Sequence, residues 1–207
     1  MIIHFVRHCE SIWNQDSRYS GHTNVPLSIN GIQQAKKLAK KMKIFSVDYI
    51  LSSDLDRAVH TALPVSKELG IPIRIEKGLR EVSFGSFEGL KQSEVAKKYP
   101  EIWNSYLRNP TTTKFPEGET VIEALERSVD VLLKLLCQPV KQESIIIIHG
   151  TLIRIILSAA LGTELNSFRS SFTPLANGSI TSVSFPLITK KENFYGAGSL
   201  MSYNQLV

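Results

Sequence analysis

Cysteine is scarce in this 207-residue chain, with only Cys9 and Cys137 present, too few for a disulfide framework or a thiolate metal site. His4 and His8 stand four apart, but no nearby carboxylate or thiol completes a metal set, so no metal is expected. No apolar run approaches the ~20 residues of a membrane-spanning helix, and no membrane partner is expected. The apolar stretch from Met1 to Val6 meets Arg7 at once, too short for a secretory core, so the expected location is cytoplasmic. Nine prolines and twelve glycines are scattered rather than clustered, leaving no linker or low-complexity segment. There is no solenoid repeat, no phosphate-binding P-loop and no dinucleotide fingerprint. Gly85 to Gly89 has the spacing of a nucleophile elbow, yet Phe87 stands where serine is needed. No cofactor is implied.

What remains is an ordinary globular composition, 43% hydrophobic and 21% charged, long enough to bury a substantial core within one domain. The net charge of +5 favours anionic partners. Most of the excess sits in lysine clusters, Lys36-Lys37 and Lys40-Lys41-Lys43, which read as one solvated helix face. No aromatics interleave with them, so nucleic acid is not the expected partner.

Residues Ile2 to Val6, Val47 to Leu51 and Ser144 to Ile148 are short, apolar and rich in branched side chains, the pattern of buried strands. Ile71 to Ile75 and Ile180 to Phe185 are weaker strand candidates. Between them, Ser28 or Asn30 caps a helix with Ile32, Ala35, Leu38, Ala39 and Met42 on one face. Glu119 to Leu136 repeats that pattern through Ile122, Leu125, Val129, Leu132, Leu133 and Leu136. Strands apolar throughout and alternating with helices predict a three-layer α/β/α sandwich with a mostly parallel sheet.

Such sheets bind ligands beyond the carboxyl ends of their strands. The first strand is followed by Arg7-His8, the second by Ser52-Ser53 and Arg57, and the isoleucine run by His149-Gly150. Two histidines and two arginines therefore converge on one rim. Guanidinium groups grip phosphate oxygens as a bidentate fork, and a histidine among cations is biased toward its neutral, nucleophilic form. Taken singly, each residue has a bland reading: a satisfied structural histidine, or a surface ion pair. Their joint placement at strand ends points instead to a site for a phosphoryl dianion.

The local wording also resembles the histidine phosphatase superfamily, which includes the cofactor-dependent phosphoglycerate mutases. The matching blocks begin with Arg7-His8-Cys9-Glu10-Ser11-Ile12-Trp13-Asn14, Tyr19-Ser20-Gly21 and Pro26-Leu27-Ser28-Ile29-Asn30-Gly31. They continue with Leu51 to Ala58, Leu79-Arg80-Glu81, Gly85 to Gly89 and Pro116 to Thr120, and close with Ile148 to Arg154. The blocks keep the family's order from position 2 to about 160, and the tail beyond Leu161 carries little that is specific. The resemblance implies that His8 is a nucleophile that becomes phosphohistidine. It implies that Arg7, Arg57 and His149 hold the phosphoryl oxygens, with hydrogen bonds from Asn14 and the Gly150 amide. Ser20 and Gly21 lie near the substrate, and Glu81 is the general acid and base. Cys9 departs from the usual glycine; its expected role is a small buried thiol, and its oxidation is a route to inhibition.

The whole chain, residues 1–207, is expected to be one such domain with a small lid at about 84–118. That segment holds Phe84, Phe87, Trp103, Tyr106 and Phe115, with Lys91 and Arg108, and its aromatics suit a core more than a substrate contact. The expected activity is hydrolysis of a small phosphorylated metabolite. The alternatives are mutase-type phosphoryl transfer and a catalytically silent binding protein. Val82-Ser83-Phe84 after Glu81 offers none of the paired cations found there in the mutases, which implies an open, less cationic pocket. Oligomeric state is open, a homodimer among the options.

Overall fold

The Ser-Ile-Ile-Ile-Ile run forms the heart of the central strand, and its alternation decides how the layers are built. In the computed structural model, which describes residues 1–137 and 143–206, Ile145 and Ile147 face one side of the sheet and Ile146 and Ile148 the other. All four are fully buried. Burying each such side chain contributes about 1.5–3 kcal/mol.

The sheet has six strands: β1 (Ile2–Arg7), β2 (Tyr49–Ser52), β3 (Ile73–Ile75), β4 (Glu143–Ile148), β5 (Ile180–Ser184) and β6 (Ser199–Gln205). Their order is β3-β2-β4-β1-β5-β6. The pairs β1–β4, β2–β4 and β2–β3 are parallel; β5 and β6 run antiparallel at one edge. The sheet is thus mostly parallel, as the apolar strands predict.

The helices are α1 (Ile12–Gln15), α2 (Ile29–Met42), α3 (Asp56–Leu69), α4 (Gln92–Lys98), α5 (Pro100–Arg108), α6 (Val121–Leu136), α7 (Gly150–Ala160) and α8 (Phe168–Ser171). α2 and α3 cover one face, where Ala35, Leu38, Ala62 and Val65 meet Val6, Ile50, Ile145 and Ile147. α6 and α7 cover the other, packing Leu125, Val129, Leu132 and Ile156 against Phe5, Ile146 and Ile148.

Several boundaries differ from the sequence expectation for identifiable reasons. Ser28, not Asn30, caps α2: its hydroxyl accepts the Gly31 amide at 2.9 Å. Ile32, expected on the buried face of α2, is 49% exposed, and Ile122, expected on that of α6, is exposed as well. α6 begins at Val121 rather than Glu119 because Thr120 and Glu123 form a capping box, and Glu119 is used elsewhere. β3 starts at Ile73 because Pro72 has no amide to give the ladder. The strand expected from Val47 starts at Tyr49 and runs on to Ser52. β6 was not foreseen; its Ser-Leu-Met-Ser-Tyr-Asn-Gln sequence is mostly exposed and shows no apolar alternation.

Residues 84–118 carry α4 and α5 beside the carboxyl end of the sheet. Phe115 lies at their centre, its ring 5.1 Å from Phe84, 5.2 Å from Phe87 and 5.0 Å from Tyr106. These rings, with Trp103, are buried and serve as core. Lys36, Lys37 and Lys40 stand exposed along α2, as a solvated face. Among the described residues, no helix is long and apolar enough to cross a membrane.

Candidate functional site

β1 and β4 end side by side, so Arg7-His8 and His149-Gly150 leave the sheet together. A cavity of about 210 Å³ opens there, lined by Arg7, His8, Asn14, Ser20, Gly21, Arg57, Glu81 and Gly150. Every site residue expected from sequence borders it except His149, which stands behind His8 with ring centroids 5.2 Å apart.

His8 is buried, and its Nδ1 donates to the Cys9 carbonyl at 2.7 Å. A carbonyl only accepts, so Nδ1 carries the proton and Nε2 presents a lone pair. Burial, reinforced by the charges of Arg57 and Arg7, holds the His8 imidazole well below the ordinary histidine range. Burial and then Arg57 do the same to His149, whose two ring nitrogens have no hydrogen-bond partner among the described residues.

Arg57 lies in the first turn of α3 and is fully buried. Its terminal nitrogens donate to the Gly21 carbonyl at 2.7 Å and the Thr23 carbonyl at 2.9 Å. Burial pulls its guanidinium down to about 10, with Glu81 and Glu88 acting in opposition. Arg7 donates to the Leu175 carbonyl. Three further buried polar atoms, Arg7 Nε, Arg57 Nε and Ser20 Oγ, have no partner among the described residues. Buried donors gathered in this way match an oxygen-rich anion.

Gly21 adopts φ +46°, and a Cβ there would lie 1.9 Å from Glu88 Oε1, so no side chain fits. The Asn14 side-chain carbonyl accepts from Ser11 and from Asn177, which leaves the Asn14 amide nitrogen for the cavity. Glu81 sits at the N-terminus of α7. Its carboxylate accepts the amides of Thr151 at 3.0 Å, Leu152 at 2.9 Å and Val82 at 3.0 Å. The other carboxylates near the rim are committed elsewhere. Asp54 forms a two-pronged pair with Arg80, and Glu88 accepts from His22, Thr23 and Phe84. Cys9 is fully buried, and burial pushes its thiol up to about 11.

A profile of the histidine phosphatase superfamily (branch 1) matches residues 3–189. The chain belongs to that superfamily. Phosphoserine phosphatase 1 of Hydrogenobacter thermophilus is 32% identical over 80% of this chain and 78% of its own length. A probable phosphoglycerate mutase, GpmB of Escherichia fergusonii, is 30% identical over 88% of this chain and 84% of its own. The fold matches that of mycobacterial glucosyl-3-phosphoglycerate phosphatase with a TM-score of 0.87 at 24% identity, covering 99% of this chain and 98% of that one.

The structure of this histidine phosphatase also brings in residues to which the sequence assigned no role. Arg18, Tyr19, Thr151, Arg154 and Leu175 line the cavity. The expectation of a less cationic pocket is therefore corrected: residues 82–84 supply no cation, but α7 and the loop after α1 do. Leu175 and Asn177 come from the tail that looked uninformative. β5 is antiparallel to β1, so its N-terminal end, not its C-terminal end, lies at the ligand rim. Searching only after each strand misses it. Asn177 donates to the His8 carbonyl at 3.1 Å and Asn14 at 3.0 Å.

Proposed function

We propose that the protein is a phosphomonoesterase that hydrolyses a small phosphorylated metabolite through a phosphohistidine on His8. The observation that carries this reading is His8 itself: buried, neutral, its Nδ1 committed to Cys9, and its Nε2 lone pair facing a cavity walled by Arg7 and Arg57. Nε2 forms a bond to phosphorus as the ester P–O bond breaks. Glu81 delivers a proton to the departing oxygen. Water then attacks the phosphorus, the N–P bond breaks, and Glu81 takes the water's proton. Arg7, Arg57, His149, Asn14 and the Gly150 amide bear the charge on the phosphoryl oxygens throughout. Ser20 and Gly21 shape the wall on the substrate side.

Residues 84–118 act as a lid over this site within a single domain. The reading includes no metal, cofactor, nucleic acid or membrane, and action in the cytoplasm. Among the described residues, no three His, Cys, Asp or Glu side chains group to hold a metal ion. The named substrates of the relatives, phosphoserine and glucosyl-3-phosphoglycerate, support a metabolite ester. A second reading, mutase-type transfer, is favoured by the extra arginines at the cavity and by the GpmB relative.

The test is rapid quench with a phosphate-labelled substrate. An acid-labile, base-stable label is expected on the wild type and none on His8→Ala, with turnover abolished. More than a few per cent of wild-type turnover in folded His8→Ala overturns the assignment.

A further inference from the structure

The peptide unit between Gly21 and His22 is gripped from both sides. Its carbonyl accepts one Arg57 terminal nitrogen at 2.7 Å, and its N–H donates to Glu88 Oε1 at 2.9 Å. A trans peptide points these two groups in opposite directions, so one rigid plane stands between the guanidinium and the carboxylate. Thr23 repeats the arrangement. Its amide donates to Glu88 Oε2 at 2.8 Å, and its carbonyl accepts the other Arg57 terminal nitrogen at 2.9 Å. The Thr23 hydroxyl and the Phe84 amide bring the donors on Glu88 to four, two on each oxygen.

A carboxylate is required for this. An ionised Glu presents two acceptor oxygens, whereas Gln would turn an NH₂ toward one pair of donors. Glu88 is not among the residues that border the cavity, and both of its oxygens are engaged, so its influence on the site passes through the loop. Hydrogen bonds in series polarise one another, and the Glu88 charge makes the Gly21 carbonyl a stronger acceptor for the buried guanidinium. Two Arg57 donors are taken up by Gly21 and Thr23, while Nε is buried with no partner among the described residues. The direction in which the remaining donors point is therefore set by where residues 21–23 stand, and Glu88 fixes that position from the opposite side.

We propose that Glu88 is a positioning residue: it holds the Gly21–Thr23 loop so that Arg57 faces the phosphoryl group. Because Glu88 and Phe84 lie at the start of the 84–118 segment, the same contacts tie that arginine to the base of the lid. This rests on the phosphomonoesterase reading and adds a residue that acts on the phosphate site without touching it.

The probe is inorganic phosphate, titrated by phosphorus NMR against wild type, Glu88→Gln, Glu88→Asp, Arg57→Met and the two double variants. Phosphate should bind about 10- to 100-fold more weakly to Glu88→Gln, the range that hydrogen bonds to charged groups supply. Glu88→Asp keeps both oxygens on a shorter stem and should recover part of that loss. In the Arg57→Met background, either Glu88 substitution should cost less than about twofold, because the group it acts through is gone. Melting temperatures are followed alongside, and if Glu88→Gln does not fold, the Glu88→Asp arm of the same cycle decides. Unchanged phosphate affinity in a Glu88 variant whose melting temperature has fallen, or equal losses with and without Arg57, overturns the proposal. Turnover of nitrophenyl phosphate by the wild type is read separately. Phosphate binding that obeys the cycle without any turnover would sink the hydrolase reading and leave the role of Glu88 standing.

Discussion

The Glu81 carboxylate accepts the Leu152 amide at 2.9 Å, so the group proposed to transfer protons is pinned to the helix that begins at Gly150. The loop carrying Glu81 is held from behind as well. Arg127 on α6 donates to the carbonyls of Gly78, Arg80 and Glu81 at 2.7–2.8 Å and is itself gripped by Glu119. Burial alone would raise the Glu119 carboxyl, but hydrogen bonds from His22 and Arg127 outweigh it and hold it at about 2.

Replacing Glu81 by Gln should lower kcat/KM for alkyl phosphates by about 10²- to 10⁴-fold, and for nitrophenyl phosphate far less, because an acidic leaving group needs little proton assistance. The variant also sets an amide NH₂ against a backbone N–H, which harms both substrates alike. The ratio between the two is therefore the readout. An equal loss on both would move the role elsewhere, and Asp54 and Glu88 are already spoken for.

Arg127→Ala should destabilise the fold by about 2–3 kcal/mol, between the values for exposed and fully buried pairs, because it leaves Glu119 with only His22 and the Ser83 amide and takes a donor from three carbonyls. Thermal melts of Arg127→Ala, Glu119→Gln and Arg127→Ala/Glu119→Gln check this, with part of the loss expected to return in the double variant. If the double variant is as unstable as the sum of the two single ones, the pair is not what holds the loop.

His8, His149 and His4 are all held below the ordinary histidine value, chiefly by burial. Folded-state values lower than unfolded ones mean that the unfolded chain binds more protons once the pH drops below about 6.5. Stability should hold above that pH and fall progressively below it. For His8, the proposed nucleophile, the same shift keeps the imidazole neutral in mild acid, so the acid limb of kcat/KM should not report a histidine near 6.5. Melts from pH 7.5 to 5 should show a shallower slope in His8→Asn than in wild type; identical slopes would remove His8 from the account.

Cys9 should resist alkylation at pH 7.5, since its thiol is raised to about 11 and fully buried, while exposed Cys137 is modified. Mass spectrometry after iodoacetamide locates the label. Modification of folded protein at Cys9, with loss of activity, would revive an oxidative control that burial argues against.

Phosphate release should outrun isomerisation when 3-phosphoglycerate is supplied, with or without a bisphosphoglycerate primer. Residues 82–84 place no cation beside Glu81 to hold a second phosphoryl group while a substrate turns over in the site. Both 2-phosphoglycerate and free phosphate are followed. Primer-dependent isomerisation much faster than hydrolysis would reverse the reading.

Much of this site is legible in the sequence because parallel strands put their carboxyl ends at one rim. Arg7-His8, Arg57 and His149-Gly150 are found by looking just past each apolar strand, and local chemistry makes those strands unambiguous. The capped helices and their buried faces follow from the same local rules, with Ile32 and Ile122 the exceptions, exposed where the helical period expected them buried. What no local rule reaches is contact between segments far apart in the chain. Leu175 and Asn177 meet Arg7 and His8 only because β5 pairs antiparallel with β1, and nothing in residues 172–179 announces that register. Arg127 looks like one more exposed helix charge until α6 is packed beside the Glu81 loop. Arg154 sits on an apolar helix whose sequence does not say which way it faces. The chain by itself determined which residues can carry phosphoryl chemistry; the packing of α7 and the antiparallel edge decided what surrounds them, because side-chain direction and strand sense are set by long-range burial.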